Sequence, residues 1–218
     1  MGQITRSYPR PYQEELEPIT ARLQDFVKSQ SCPETGWFFR FDGASPKDGK
    51  FDFPVMSAKE VITQIVTSRR ASQLLSSGDR RIYITAFDHS WDPDREVRAF
   101  ICDQRLTAVS QYNCYVRDTP IGLLSDKELS LVVSHISDAL SPLLSLLVQR
   151  FETDSFVADI YVEPDLTVRI IEFNPFGHWL PSGSALFHWL EDADKLHNAQ
   201  GVAHVRVFDT GGHALSGQ

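Results

Sequence analysis

Asp159, Glu172 and Asn174 are the residues of this sequence whose types and spacing best suit holding a metal ion. They lie in the stretch FVADIYVEPDLTVRIIEFNPFGHW, residues 156–179, which predicts two strands, Phe156–Val162 and Val168–Phe173, joined by the turn-like Glu163-Pro164-Asp165. Glu172 and Asn174 are two apart, so strand alternation points both to one face. A turn centred on Asp165 and Leu166 sets Asp159 directly across from Glu172, and like charges so placed repel unless something positive lies between them. A hard divalent cation would resolve the conflict. Carboxylate and amide oxygens suit Mg²⁺, usually held by one or two carboxylates together with a nucleotide's phosphates. Solvated residues on the outer face of a sheet show the same pattern, and spacing alone does not choose between the two.

A second place for chemistry is the aromatic strand Trp37–Phe41, which runs into the small-residue loop DGASPKDG carrying Lys47 just after Arg40. Backbone can approach an anion closely there, and two cations flank it. The G-x-x-x-x-G-K-[S/T] pattern is absent, and an ordinary surface turn has the same composition.

The remaining elements must position these groups. Apolar spacing predicts a packing helix over 13–29, with Pro18 early in it. The capping box Ser57-Ala-Lys-Glu60 opens a helix running to about Arg69 or Leu75, whose Arg69 and Arg70 read as a solvated face. Strands follow at Ile82–Phe87, Glu96–Cys102 and Leu106–Gln111, the last two joined by Asp103-Gln104-Arg105 as a hairpin. A second capping box, Ser125 to Glu128, starts the longest helix, through Phe151, with Pro142 kinking or splitting it and His135 as a structural histidine. Ser184–Leu196 reads as a further helix and Val202–Phe208 as a last strand before a Gly-rich tail from Thr210. Hairpins mixed with helices argue for α+β lobes and against a doubly wound parallel sheet.

Composition bounds the function. The 218 residues, 42% hydrophobic and 11% aromatic, fit a globular chain with a substantial core. A net charge of −8 argues against a broad nucleic-acid-binding surface. No apolar run approaches 18 residues and the N-terminus has no apolar h-region, so neither a membrane span nor a secretory signal is expected. Arg6 breaks the myristoylation pattern after Met1-Gly2. Cys32, Cys102 and Cys114 show no paired metal-ligand spacing, so a reduced, cytoplasmic chain is expected.

Three longer segments carry a resemblance: FFRFDGASPKD (38–48), DREVRAFICDQRLTAVSQ (94–111), and FVADIYVEPDLTVRIIEFNPFG (156–177) with SALFHWLED (184–192). In this order they resemble the cell-division-cycle-123 or D123 family, with its hallmarks P-K-L-N-W-S-x-P-K-D, E-F-R-C-F-V, I-S-Q-R-D and D-x-Y followed by I-D-F-N-P-F. That family is a divergent clade of the ATP-grasp superfamily. The resemblance implies an α+β ATP-grasp fold, one unit over 1–218 made of two α+β lobes with the nucleotide between their antiparallel sheets. The lobes would be 1–81, with the N-terminal helix and phosphate-binding loop, and 82–218, with the metal-binding hairpin. It further implies that Arg40, Lys47 and Arg98 contact the phosphates of ATP, with Lys47 and Arg98 as the catalytic cations, and that Asp159, Glu172 and Asn174 hold Mg²⁺. The strand carrying Tyr83 and Ile84 would be the hinge that offers its backbone to adenine. Five departures are visible: Glu172 for Asp, Arg40 for Lys, Gly43-Ala44 for W-S, Tyr112-Asn113 for R-D, and no recognisable hinge motif with Arg and Trp at residues 84–88. An Arg for Lys exchange is not conservative at a tight site.

Two functions follow from the resemblance. One is an ATP-loaded assembly chaperone that docks a protein client such as the γ subunit of translation initiation factor 2. The other is an ATP-grasp ligase that phosphorylates a carboxylate and lets an amine attack the acyl phosphate, the cations and Mg²⁺ stabilising the transferring phosphoryl group. In neither case is a nucleic acid or a membrane expected as partner.

Overall fold

Aromatic and β-branched residues at alternate positions build the strands that carry the candidate residues. The computed structural model describes residues 12–29, 34–78, 81–180, 182–197 and 202–208. Cys32 and the tail from Thr210 lie outside the described residues.

Two compact units emerge, Met1–Trp91 and Asp92–Gln218. The division lies ten residues beyond the expected 81/82. Its cause is the strand at Ile82–Ala86, expected to open the second lobe, which pairs antiparallel with Trp37–Phe41 in the first unit.

In the first unit, α1 (Gln13–Ser29) is followed by β1 (Trp37–Phe41), α2 (Ala58–Thr67), α3 (Arg69–Ser76) and β2 (Ile82–Ala86). Trp37, Phe39 and Phe41 alternate inward on β1, and Trp37 and Phe39 form one core with Val55 and Val61. The single helix expected after Ser57 is broken into α2 and α3 at Ser68. The Ser68 amide closes α2 on the carbonyl of Gln64, while its hydroxyl accepts from the Ala71 amide and caps α3. A serine side chain that bonds its own neighbouring backbone competes with continued helix, which explains the break.

The second unit is a five-stranded sheet in the order β6-β5-β3-β4-β7. Its strands are β3 (Glu96–Cys102), β4 (Arg105–Gln111), β5 (Phe156–Val162), β6 (Val168–Pro175) and β7 (His204–Arg206). The β3–β4 hairpin turns through Asp103 and Gln104, both at positive φ. β7 runs parallel to β4, so the sheet is mixed where only antiparallel pairing was expected. One face packs under α4 (Asp126–Leu140) and α5 (Leu144–Phe151), which a 3₁₀ turn at Ser141–Leu143 separates where Pro142 was expected to split the helix. By length and composition the run Asp126–Phe151 is apolar enough to cross a membrane, which a search for unbroken apolar residues overlooks. Val132, Ile136, Leu140 and Leu147 bury one side of it against Val97, Ala99, Ile101 and Ile160 of the sheet, the pattern of an amphipathic helix laid on a sheet, while Leu131, Leu146 and Phe151 stay exposed on its outer side.

The opposite face carries Phe100, Ala108 and Val157, covered by Phe187 and Leu196. The helix expected over Ser184–Leu196 shrinks to α6 (Ala193–Leu196). Its preceding residues are drawn into the sheet: the Leu186 amide bonds the Ser110 hydroxyl at 3.0 Å, and Phe187 and Trp189 set their rings against Phe100. Asp192 then ties this segment to β7, accepting from both terminal nitrogens of Arg206 (2.7 and 2.9 Å), from Lys195 Nζ (2.9 Å) and from the His188 amide (2.9 Å). Arg206, Lys195 and the His188 amide, in that order, hold the Asp192 carboxyl well below the usual carboxylate range. A depressed folded pKa contributes stability above the unfolded value of about 4 and loses it as pH falls further. Asp192→Asn is therefore expected to lower the melting temperature at pH 7 and to flatten its fall between pH 4 and pH 2, as followed by thermal melts across that range. A variant curve parallel to the wild type would refute this.

Candidate functional site

The expected electrostatic conflict exists, and its geometry is specific. Asp159 on β5 sits opposite Glu172 on β6, as anticipated, but by a different route. The hairpin turn is centred on Asp165, with Val162 paired to Val168, and the register then slips so that Ile171 is an extra residue on β6. That bulge restores Glu172 to the position across from Asp159 and keeps Glu172 and Asn174 on the site's face. His135 fixes the turn from α4, its Nδ1 lying 2.7 Å from the Leu166 carbonyl oxygen, which is a structural role.

The positive group paired with Asp159 is Arg98, on the strand that flanks β5 on the side away from Glu172. It faces Asp159 across the β3–β5 ladder, and its Nε and Nη2 donate to Asp159 Oδ1 and Oδ2 at 2.8 Å each. Nη1 donates to the Gly183 carbonyl at 2.6 Å, and the ring of Tyr112 lies 4.9 Å from the guanidinium carbon. Asn174 Nδ2 donates to Asp159 Oδ2 at 3.0 Å and reaches Glu172 Oε1 at 3.4 Å. Asp159 and Arg98 are buried, at 3% and 6% exposure, while Glu172 and Asn174 are half-buried. Burial pushes the Asp159 carboxyl up, the facing Glu172 adds to this, and Arg98 opposes it. Burial also works against the Arg98 charge, but hydrogen bonds and attraction from Asp159 outweigh it and raise the guanidinium above its ordinary value.

Arg98, Asp159, Glu172 and Asn174 are thus brought together on one unit. Arg40, Lys47, Tyr83 and Ile84 all lie on the other. Arg40 faces Tyr83 across the β1–β2 ladder, and Ile84 packs against the first unit's core. Lys47 is exposed at the tip of a loop that is built and not loose. Gln64, fully buried on α2, donates to the Pro46 carbonyl and accepts from the Phe51 amide, each at 2.7 Å. Asp48 accepts from the Ser68 hydroxyl at 2.5 Å and from the Arg70 amide at 3.2 Å. Sequence reasoning missed Gln64, Ser68, Tyr112 and the Gly183 carbonyl. Only Tyr112 had a signal: it continues the 108, 110, 112 alternation on the face of Arg98.

Gln64→Ala would orphan the Phe51 amide and leave the Pro46 carbonyl only its longer bond from the Gly49 amide, at a cost of roughly 1–3 kcal/mol. Urea unfolding should show that loss, and hydrogen exchange should show a faster Gly49 amide. Unchanged exchange at Gly49 would mean that Gln64 does not hold the loop.

Of the two cysteines among the described residues, Cys102 is buried, and burial pushes its thiol up, which suits a packing residue. No cluster of three or more His, Cys, Asp or Glu side chains able to hold a metal occurs among the described residues. The acid–acid–amide trio has only two such members.

The sequence profile of the D123 family matches residues 86–215, more than half of the chain. The chain belongs to the D123 family. It is 23% identical over 202 residues to a Xenopus laevis protein named translation initiation factor eIF2 assembly protein, an alignment covering 86% of this chain and 57% of that relative. Its fold matches that of Schizosaccharomyces pombe Cdc123. The C-terminally truncated form superposes with a TM-score of 0.65 at 16% identity, over 87% of this chain and 78% of the other. A second Cdc123 structure gives 0.64 at 18% identity, over 87% and 77%. The D123 match spans the site on the second unit, including Arg98, Asp159, Glu172 and Asn174, and begins after β1 and the Lys47 loop.

Proposed function

We propose that this D123 protein is an ATP-grasp protein that binds Mg·ATP and, so loaded, docks a protein client in the assembly of translation initiation factor 2. The observation that carries the nucleotide half is the opposed pair Asp159 and Glu172 with Asn174 beside both. These residues fit a hard cation: two carboxylates and one amide, close enough to hydrogen-bond, form an all-oxygen donor set once Asn174 turns its amide to present Oδ1. Mg²⁺ bound there would neutralise charge on the phosphates. Arg40 would meet phosphate as a planar fork and Lys47 as a point charge, on a loop that Gln64 and Ser68 have already ordered. Tyr83 and Ile84, on a strand paired on one side by β1, would offer backbone groups to adenine. Support for a client in that assembly is the name of the Xenopus relative, of which this chain spans 57%, and the γ subunit is what the family resemblance implies.

Calorimetry with Mg·ATP tests the nucleotide reading. Glu172→Ala and Asn174→Ala are each expected to weaken binding by roughly tenfold or more, about 1.4 kcal/mol, with little change in melting temperature, since both side chains are half-buried. Equal affinity of both variants and the wild type would sink the assignment. ADP release that depends on added amino acids or peptides would replace the chaperone by a carboxylate–amine ligase.

A further inference from the structure

The Asp159 carboxylate is already well satisfied. Of about four lone-pair positions on a carboxylate, Oδ1 gives one to Arg98 Nε, and Oδ2 gives two, to Arg98 Nη2 and Asn174 Nδ2. Arg98 is itself seated on three sides, by Asp159, by the Gly183 carbonyl and by the Tyr112 ring. A planar fork gripping a carboxylate through two parallel bonds is the strongest common arrangement of such a pair. A divalent cation arriving between Asp159 and Glu172 meets a carboxylate already taken by a fixed positive charge on its other side, and the repulsion is large at such short range in a buried site. An anion arriving with the cation changes the balance, because Arg98 then has a new partner.

From this geometry we infer that Arg98 guards the metal site, occupying Asp159 in the free chain and yielding it only to a cation that brings its own phosphates. The inference rests on the Mg·ATP reading above and adds selectivity to it: the site refuses Mg²⁺ alone and accepts it with nucleotide. Arg98 is then a positioning residue in the empty site and a phosphate contact in the loaded one. The four groups that decide the exchange, Arg98, Asp159, Glu172 and Asn174, all lie on one unit, so it needs no rearrangement of the fold.

The test is one substitution read with two titrants. Arg98→Met removes the guarding charge and keeps an unbranched apolar side chain in its seat. Mg²⁺ alone, titrated by calorimetry and by its effect on the melting temperature, is expected to bind the variant at least tenfold more tightly than the wild type and to restore stability that the substitution removed. Mg·ATP is expected to bind the variant at least tenfold more weakly. Arg98→Lys, which keeps a point charge but not the fork, serves if the methionine variant does not fold, and should lie between the two. Wild type and variant with the same affinity for Mg²⁺ alone, together with normal wild-type binding of Mg·ATP, would overturn the inference and leave the nucleotide reading standing. No heat from Mg·ATP with the wild type would instead remove the nucleotide reading, and this inference with it.

Discussion

Asp159→Ala is expected to destabilise the second unit by roughly 3–5 kcal/mol, far more than the loss of one hydrogen-bonded carboxylate at a surface. The reason is what the substitution leaves behind. Arg98 is 6% exposed, and Asp159 provides both of its short ionic contacts. Without that carboxylate the guanidinium stays buried, with the Gly183 carbonyl, the Tyr112 ring and the longer-range attraction of Glu172 in place of its two short ionic bonds. Breaking a buried pair by removing one partner strands a charge, whereas replacing both partners with apolar groups of similar size can be nearly neutral. The double variant Asp159→Leu with Arg98→Met should accordingly recover most of the stability lost in the single one. Urea unfolding of the two single variants and the double variant gives the coupling directly. A single-variant loss below about 1 kcal/mol would show that Arg98 finds water or another partner, and the bidentate pair would then not hold the site together.

This pair also marks where the sequence stops being legible. The hairpin, its strands and the shared face of Glu172 and Asn174 follow from β-branched residues at period two, and the structure has them. The pairing of Asp159 with Glu172 was anticipated from a turn centred half a residue too late, and it arises instead because Ile171 bulges. That Arg98 supplies the countercharge depends on the β3–β5 register, which brings together residues 61 positions apart and leaves no local trace. Local signals mislead at two places for a common reason. The apolar spacing of 184–196 suits a helix, but Phe187 and Trp189 gain more by packing on Phe100 than by helical hydrogen bonds. The long helix after Ser57 breaks because Ser68 bonds Asp48 and Ala71, and Asp48 lies 20 residues away. The same contact orders the Lys47 loop, so a failure of helix prediction coincides with a candidate site being built.

Phe100→Ala is the second large effect, at roughly 3–5 kcal/mol. Phe100 is fully buried, and its ring meets Phe187 and Trp189 edge-on at 5.7 and 5.5 Å between centroids. Trp189 in turn packs on Phe176 at 5.0 Å and donates from Nε1 to the Ser182 carbonyl at 3.1 Å. Truncation therefore removes the aromatic anchor of a segment that has only four helical residues to hold itself, α6. Aromatic pairs add to area burial, so the loss should exceed that of an aliphatic residue of similar exposure. The consequence reaches the site, because the same segment presents the Gly183 carbonyl to Arg98 Nη1. Hydrogen exchange in Phe100→Ala should accelerate across 182–197 while α4, packed on the other face, keeps its protection. Phe100→Leu, which fills more of the space, should lose less, and Leu190→Ala in the same segment, 63% exposed, should stay within about 0.5 kcal/mol of wild type. If Phe100→Ala unfolded both faces of the sheet together, the segment would be part of one cooperative core and could not loosen Arg98 by itself.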